Sequence, residues 1–216
     1  MKKKSIFLAV ALIAAACGSP ERMRMEDPVD YVNPLMGTAS TYELSTGNTY
    51  PAIALPWGMN FWTPQTGANG DGWTYTYSST KIRGLKQTHQ PSPWINDYGS
   101  FSIMPVTTGP VYDEDGRQSW FSHKAETVKP YYYQVYLAEH DVVAELAPTE
   151  RAAAFRLTYP EKEMSYLVVD AYNGGQAEVL KDRNMIVGYS TANHGGVTEN
   201  FRNWFVVVSD TPFETH

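Results

Sequence analysis

The sequence predicts an all-β domain, an antiparallel β-sandwich, and three observations carry that reading. Aromatic residues make up 13% of the 216, with 8 Phe, 6 Trp and 15 Tyr, and Gly and Pro contribute 16 and 14, a balance that suits strands and tight turns better than helices. Apolar residues recur in short β-branched or aromatic runs at regular spacing, not at helical period. Several runs alternate in polarity: in Tyr131 to Leu137, Tyr133, Val135 and Leu137 fall on one face and Tyr132, Gln134 and Tyr136 on the other.

The chain opens with a targeting segment. Lys2, Lys3 and Lys4 precede an apolar run from Ile6 to Ile13 and then Ala14-Ala15-Ala16-Cys17-Gly18, the pattern of a secretory signal peptide over residues 1–16. The run is well short of the roughly 20 residues a membrane-spanning helix needs. Three small residues before the only cysteine resemble a bacterial lipobox, with Ala14 where Leu is usual, and they predict a lipidated Cys17 at the mature N-terminus of an exported, membrane-anchored chain, in the periplasm or at the cell surface. Ordinary signal-peptidase cleavage beside an incidental cysteine is the alternative. A sole cysteine excludes internal disulfides, so burial must stabilise the fold unaided.

Residues 17–27 read as a polar tether, and 28–216 as the folded domain. From Pro28 to about Asn96 no helical period persists, and Gly, Pro, Thr, Ser and Asn among the aromatics suggest loops linking short strands. Strands are predicted at Phe101 to Val106, Tyr131 to Glu139, Val142 to Leu146, Ala152 to Tyr159, Tyr166 to Ala171, Met185 to Tyr189 and Trp204 to Val208. His140-Asp141 is a two-residue hairpin candidate, and Lys181 to Asn184 another turn. A buried strand so close to His216 predicts a fragment, truncated at the C-terminal end of its domain.

Charge and composition remove several function classes. With 43% hydrophobic and 19% charged residues the chain is not disordered. The net charge is −6, and beyond the first sixteen residues 14 basic residues face 23 acidic ones, which disfavours nucleic acid and anionic headgroups but leaves a neutral sugar unaffected. The single cysteine excludes thiolate catalysis and cysteine-based zinc, and the five histidines lack metal-ligand spacing. Asp113-Glu114-Asp115 reads as a solvated turn, and no carboxylate pair stands out as acid and base.

Two segments attract a functional reading. From Gly84 to Gly99, Pro91 and Pro93 exclude a helix and a central strand, so His89, Gln90, Trp94, Asn96 and Asp97 are expected on a rigid loop whose indole, amides and imidazole suit a polyol. The alternative is that His89 and Asp97 satisfy loop backbone while Trp94 packs on the sandwich. In Gly70-Asp71-Gly72-Trp73, the two glycines permit a tight turn that presents the indole outward, against the alternative of a core tryptophan.

Asp30 to Thr38, the Tyr50-Pro51-Ala52 to Pro56-Trp57-Gly58-Met59 block, Asp71-Gly72-Trp73 and above all Ile82 to Gly99 resemble the N-terminal domain of family 92 glycoside hydrolases, calcium-dependent exo-α-mannosidases. Lys129 to Val135, Ala144-Glu145-Leu146 and Thr149-Glu150-Arg151 are similar to its later strands. The chain departs from the commonest pattern at Gln87-Thr88-His89, where Ser-His-Thr-His is usual, and at Trp57, where Phe is usual. The resemblance implies a β-sandwich followed by an (α/α)6 barrel, which carries the general acid, the general base and most calcium ligands of an inverting hydrolase. It implies no catalytic residue and no metal site here, an α-mannoside glycan as partner, and Trp73 as a pocket wall with His89, Trp94 and Asp97 as further substrate contacts. A noncatalytic carbohydrate-binding lipoprotein is the alternative from another class, and amidase action on N-glycans a third.

Overall fold

The computed structural model describes residues 27–39, 43, 49–69, 74–88, 101–161, 164–172, 174–191 and 198–214. The chain divides into Met1–Tyr31 and Val32–His216. In the first unit the described part is a short 3-10 turn over Pro28–Tyr31.

The second unit is built from antiparallel strands, as the composition predicts. One sheet runs in the order β1 (Phe61–Gln65), β3 (Gly84–Thr88), β4 (Phe101–Val106), β10 (Tyr166–Asp170). A second is the meander β6 (Glu126–Lys129), β7 (Tyr132–Leu137), β8 (Val142–Pro148), β9 (Ala153–Thr158). A third comprises β11 (Gln176–Leu180), β12 (Met185–Ser190) and β13 (Asn203–Val208), and β2 (Lys81–Ile82) pairs with β5 (Ser119–Trp120). The one described α-helical turn, α1, spans Glu114–Arg117.

The alternation read from β7 is the alternation of burial: Tyr133, Val135 and Leu137 are buried, while Tyr136 is exposed. Val142, Ala144 and Leu146 of β8 continue the same face. These residues join Ile53, Trp62, Leu85, Phe101 and Ile103 in one apolar core. Aromatic contacts tie the sheets together: Trp62 of β1 meets Phe155 of β9 edge-on at 4.9 Å, and Phe101 of β4 stacks on Phe205 of β13 at 4.3 Å. The outer side of β13, last in its sheet, leaves Trp204, Val206 and Val208 exposed.

Two local expectations are corrected. Gly84–Thr88 is not loop but an interior strand of the first sheet. The prolines that argued against a strand lie downstream of it, in a segment outside the described residues. Within that sheet Pro64 occupies the edge strand, and Pro105 lies beyond the last β3–β4 pair (Leu85 with Ile103), where its missing N–H removes no bond to β3. The β7–β8 connection is a four-residue turn between paired Leu137 and Val142, with Asp141 at φ 55°, not the two-residue turn expected. Asn184, at φ 51°, closes the Lys181–Arg183 turn as anticipated.

The β8 register gives a direct check. Leu146→Ala removes a fully buried side chain and should cost about 2–5 kcal/mol. Ala147→Ser, one residue on and exposed, should stay within about 0.5 kcal/mol by chemical denaturation.

Candidate functional site

The first sheet has two unlike faces. Trp62, Leu85, Phe101 and Ile103 share one face with the buried Gln87, and on the other face, beside the apolar Met104 and Val106 of β4, lie five polar residues: Thr63, Gln65, Lys86, Thr88 and Ser102. All five are buried. Burying hydroxyl, amide and ammonium groups costs free energy unless each finds a partner. The Tyr50 and Thr88 hydroxyls hydrogen-bond at 3.0 Å, and Gln65 Nε2 donates to Glu114 at 2.9 Å. Ser102 Oγ and Gln65 Oε1 have no hydrogen-bond partner among the described residues. Gly84 makes room here, because a Cβ would stand 3.2 Å from Ser102 Oγ.

Both nominated segments attach to this sheet. Residues 89–100, which carry His89, Trp94 and Asp97, lie between the end of β3 and the start of β4. Residues 70–73, with Asp71 and Trp73, follow β1 and return at Thr74, whose carbonyl accepts from Thr66 N at 2.8 Å and Gly67 N at 3.2 Å. The segments themselves are outside the described residues, and so is Cys17. Their stems lie at opposite ends of the β1–β3 pair, since Thr88 is opposite Phe61 and Gly84 opposite Gln65. That separation is about 13 Å along the strands. The Pro56–Met59 block is a surface turn, closed by Gly58 N to Leu55 O at 3.0 Å, with Trp57 at φ 62° and almost wholly exposed.

Beside the β10 edge is a cavity of about 550 Å³ bordered by Asn69, Tyr112, Glu114, Arg117, Asp170 and Tyr172. Its organising group is the Arg117 guanidinium, 1% exposed. Nη2 donates to Asp170 Oδ2 at 2.6 Å, Nη1 to the Tyr112 carbonyl at 3.2 Å and Nε to the Arg83 carbonyl at 3.1 Å. Glu114 lies 3.7 Å from the same guanidinium. Both carboxylates also hold Asn69: its backbone N–H lies 3.0 and 2.9 Å from the Glu114 oxygens, and its Nδ2 donates to Asp170 Oδ2 at 2.9 Å. Burial first, then the charges of Glu114 and Asp170, push the Tyr172 phenol upward.

This corrects the expectation that Asp113-Glu114-Asp115 is a solvated turn. Asp115 is exposed and pairs with Arg83, but Asp113 caps α1 through Gly116 N, and Glu114 points inward to the brace. Glu114 and Asp170 already share a cation in Arg117, so they do not form the six-to-eight-oxygen shell that calcium requires. Among the described residues no group of three or more His, Cys, Asp or Glu is placed to hold a metal ion. Sequence reasoning missed Arg117, Asp170 and Asn69 because partners 53 and 101 residues apart leave no local signal. It missed His140 too, which is buried: its Nε2 donates to the Arg117 carbonyl at 2.8 Å, leaving Nδ1 to accept from Thr107 N at 3.4 Å.

Removing one partner of a buried ion pair leaves the other uncompensated, so Arg117→Met should destabilise the domain by about 3–5 kcal/mol. Arg117→Lys should recover only part of this, because an ammonium cannot reproduce the planar fork that reaches Asp170 and two carbonyls. Denaturant melts of the two variants beside the parent check both statements.

Residues 31–216 match the model of the glycosyl hydrolase family 92 N-terminal domain. Among solved structures, an inverting mannosidase of this family from Bacteroides thetaiotaomicron is 51% identical with a TM-score of 0.78, covering 84% of this chain and 25% of that one. A second family 92 α-mannosidase from Bacteroides thetaiotaomicron, also solved with mannoimidazole, is 29% identical, with TM-scores of 0.66 and 0.65 and coverage of 76% of this chain and 23% of that one. A search of the curated proteins returns no match. The chain thus spans about a quarter of the length of these mannosidases. With the family model matched across 31–216 and the strand framework shared with these enzymes, the chain belongs to glycoside hydrolase family 92, and those residues are its N-terminal domain.

Proposed function

We propose that the chain is the sugar-binding domain of an exported α-mannosidase acting on the α-mannosides of glycans, and that it lends wall residues to a pocket completed by a catalytic (α/α)6 barrel later in the same polypeptide. The observation that supports this reading is the row of buried polar residues Thr63, Gln65, Lys86, Thr88 and Ser102 on one face of β1, β3 and β4, with the segments bearing Trp73 and His89 to Asp97 attached at the two ends of the β1–β3 pair. Mannose is uncharged, with an apolar C–H patch and hydroxyls of fixed orientation. An indole wall with a few amide, imidazole and carboxylate partners is the complement such a ring requires. Trp73 supplies the wall, and His89, Trp94 and Asp97 the neighbouring contacts. Residues 89–100 are long enough for this, since half of a twelve-residue loop extends about 20 Å, beyond the 13 Å or so between the stems.

In this reading the domain binds and orients. Inverting hydrolysis takes two carboxyl groups about 6.5–9.5 Å apart on opposite sides of the scissile bond. Both belong to the barrel, as does the calcium. Trp73→Ala in the complete enzyme should lower kcat/KM about tenfold or more and leave melting nearly unchanged. A core tryptophan would instead cost about 3–5 kcal/mol of stability while the folded fraction kept its kcat/KM, so measuring both on one preparation decides the matter.

Residues 1–17 support export with lipid attachment at Cys17. Mass spectrometry of native material should find an acylated Cys17 as the first residue, and Cys17→Ser should release the protein from membranes. A mature N-terminus elsewhere, or unchanged membrane association, overturns the anchor.

A further inference from the structure

We propose that Trp57 is a second sugar platform, separate from the pocket for the terminal mannose, on which a unit further along the glycan stacks; that the ligand is an α-mannosyl glycan rests on the proposed function. The indole is 98% exposed. Gly58 N donates to Leu55 O at 3.0 Å and Pro56 fixes a negative φ at the second position, which gives a type II turn with Trp57 third at φ 62°. Glycine ordinarily takes that position, and a bulky aromatic in the left-handed region is a strained choice. The neighbouring glycine cannot relieve it, because a Cβ at position 58 would stand 3.0 Å from the Leu55 carbonyl oxygen. Strain of this kind persists where the surroundings impose it, and it concentrates at sites that bind.

Here the surroundings do impose it. Ala54 N donates to Pro130 O at 2.8 Å in the β6–β7 turn, and Met59 N to Glu150 O at 2.6 Å in the β8–β9 turn. Asn60 Nδ2 donates to Thr149 O at 3.0 Å, and its Oδ1 accepts from the buried Trp62 indole at 2.6 Å. Ile53 pairs with Trp62 to close the base of the loop. An indole carried on so fixed a base gives up little backbone freedom on binding, which lets a single ring serve as a platform.

The turn that braces Trp57 also carries Glu150 and Arg151, both exposed. A hexose ring has an apolar C–H face to lay on an indole and hydroxyls at its edge that donate to a carboxylate and accept from a guanidinium. With an α-mannoside as the proposed substrate, the stacked ring is a mannosyl unit beyond the one being cleaved.

The test uses the complete enzyme with Trp57→Gly, which suits φ 62° and removes the indole, and Trp57→Phe as the conservative variant. Retardation in gels containing yeast α-mannan is measured beside Tm, and kcat and KM on mannotetraose and on an aryl α-mannoside. Trp57→Gly should weaken retardation about fivefold or more and lower kcat/KM on mannotetraose, relative to that on the aryl mannoside, by a similar factor expressed in KM. Trp57→Phe should keep most of both. Tm should stay within about 2 °C, since the change exchanges backbone strain for flexibility of the unfolded chain.

Unchanged retardation with an unchanged ratio between the two substrates overturns the proposal. So does an equal loss on both substrates, which would place Trp57 in the pocket for the terminal sugar. A Tm lowered by more than about 5 °C with the ratio kept would show the indole packed against another part of the polypeptide, and overturns it as well. If the parent hydrolyses neither mannoside, the α-mannosidase reading fails, and the gels still decide Trp57: retardation lost in Trp57→Gly upholds the platform, and none in the parent overturns it.

Discussion

A guanidinium that cannot reach water must find its partners in the protein, and Arg117 finds them in four separate parts of the chain. Its side chain takes Asp170 from the end of β10, the Arg83 carbonyl between β2 and β3, and the Tyr112 carbonyl ahead of α1, while its own carbonyl receives His140 from the β7–β8 turn. Each contact satisfies a donor or acceptor that would be costly to bury alone. Together they fix the order in which the elements meet. The short α1 has little stability of its own at four residues, and the capping bond of Asp113 with the ties of Glu114 and Arg117 holds it.

The same economy explains the two-faced first sheet. Its core side carries the aromatic and aliphatic residues that bind it to the β6–β9 meander and to β13. Its other side is equally buried but mixed, with Thr63, Gln65, Lys86, Thr88 and Ser102 beside Met104 and Val106. Polar groups at buried sites give directionality, since each has few geometries that satisfy it.

How much of this could be read in advance depended on burial. β7 and β8 have one face in the core and one toward solvent, so period two was visible in Tyr133, Val135 and Leu137 against Gln134 and Tyr136. β3 is buried on both faces, so Gly-Leu-Lys-Gln-Thr shows no alternation and reads as loop. β1 is obscured in the same way, with a proline at its fourth position. Of the nominated site, Trp73, His89, Trp94 and Asp97 came from local motifs and resemblance. Asn69, Arg117 and Asp170 were not legible, because their meaning lies in one another across 53 and 101 residues of chain. The run Asp113 to Asp115 misled for a related reason: three adjacent acids point in different directions and perform three different tasks.

The outward row of β13 has a practical side. Trp204, Val206 and Val208 stand exposed on a strand that comes last in its sheet, with Tyr189 of β12 packed edge-on against Trp204 at 4.9 Å. Exposed apolar edge strands of this kind are templates for pairing between copies. A preparation of these 216 residues by themselves is thereby prone to precipitate as it is concentrated, for reasons unconnected with whether each molecule has folded. A lysine at position 206 would interrupt the row without disturbing Phe205, whose side chain faces the core. Poor solubility of the isolated domain would then report on an uncovered margin, not on a faulty interior.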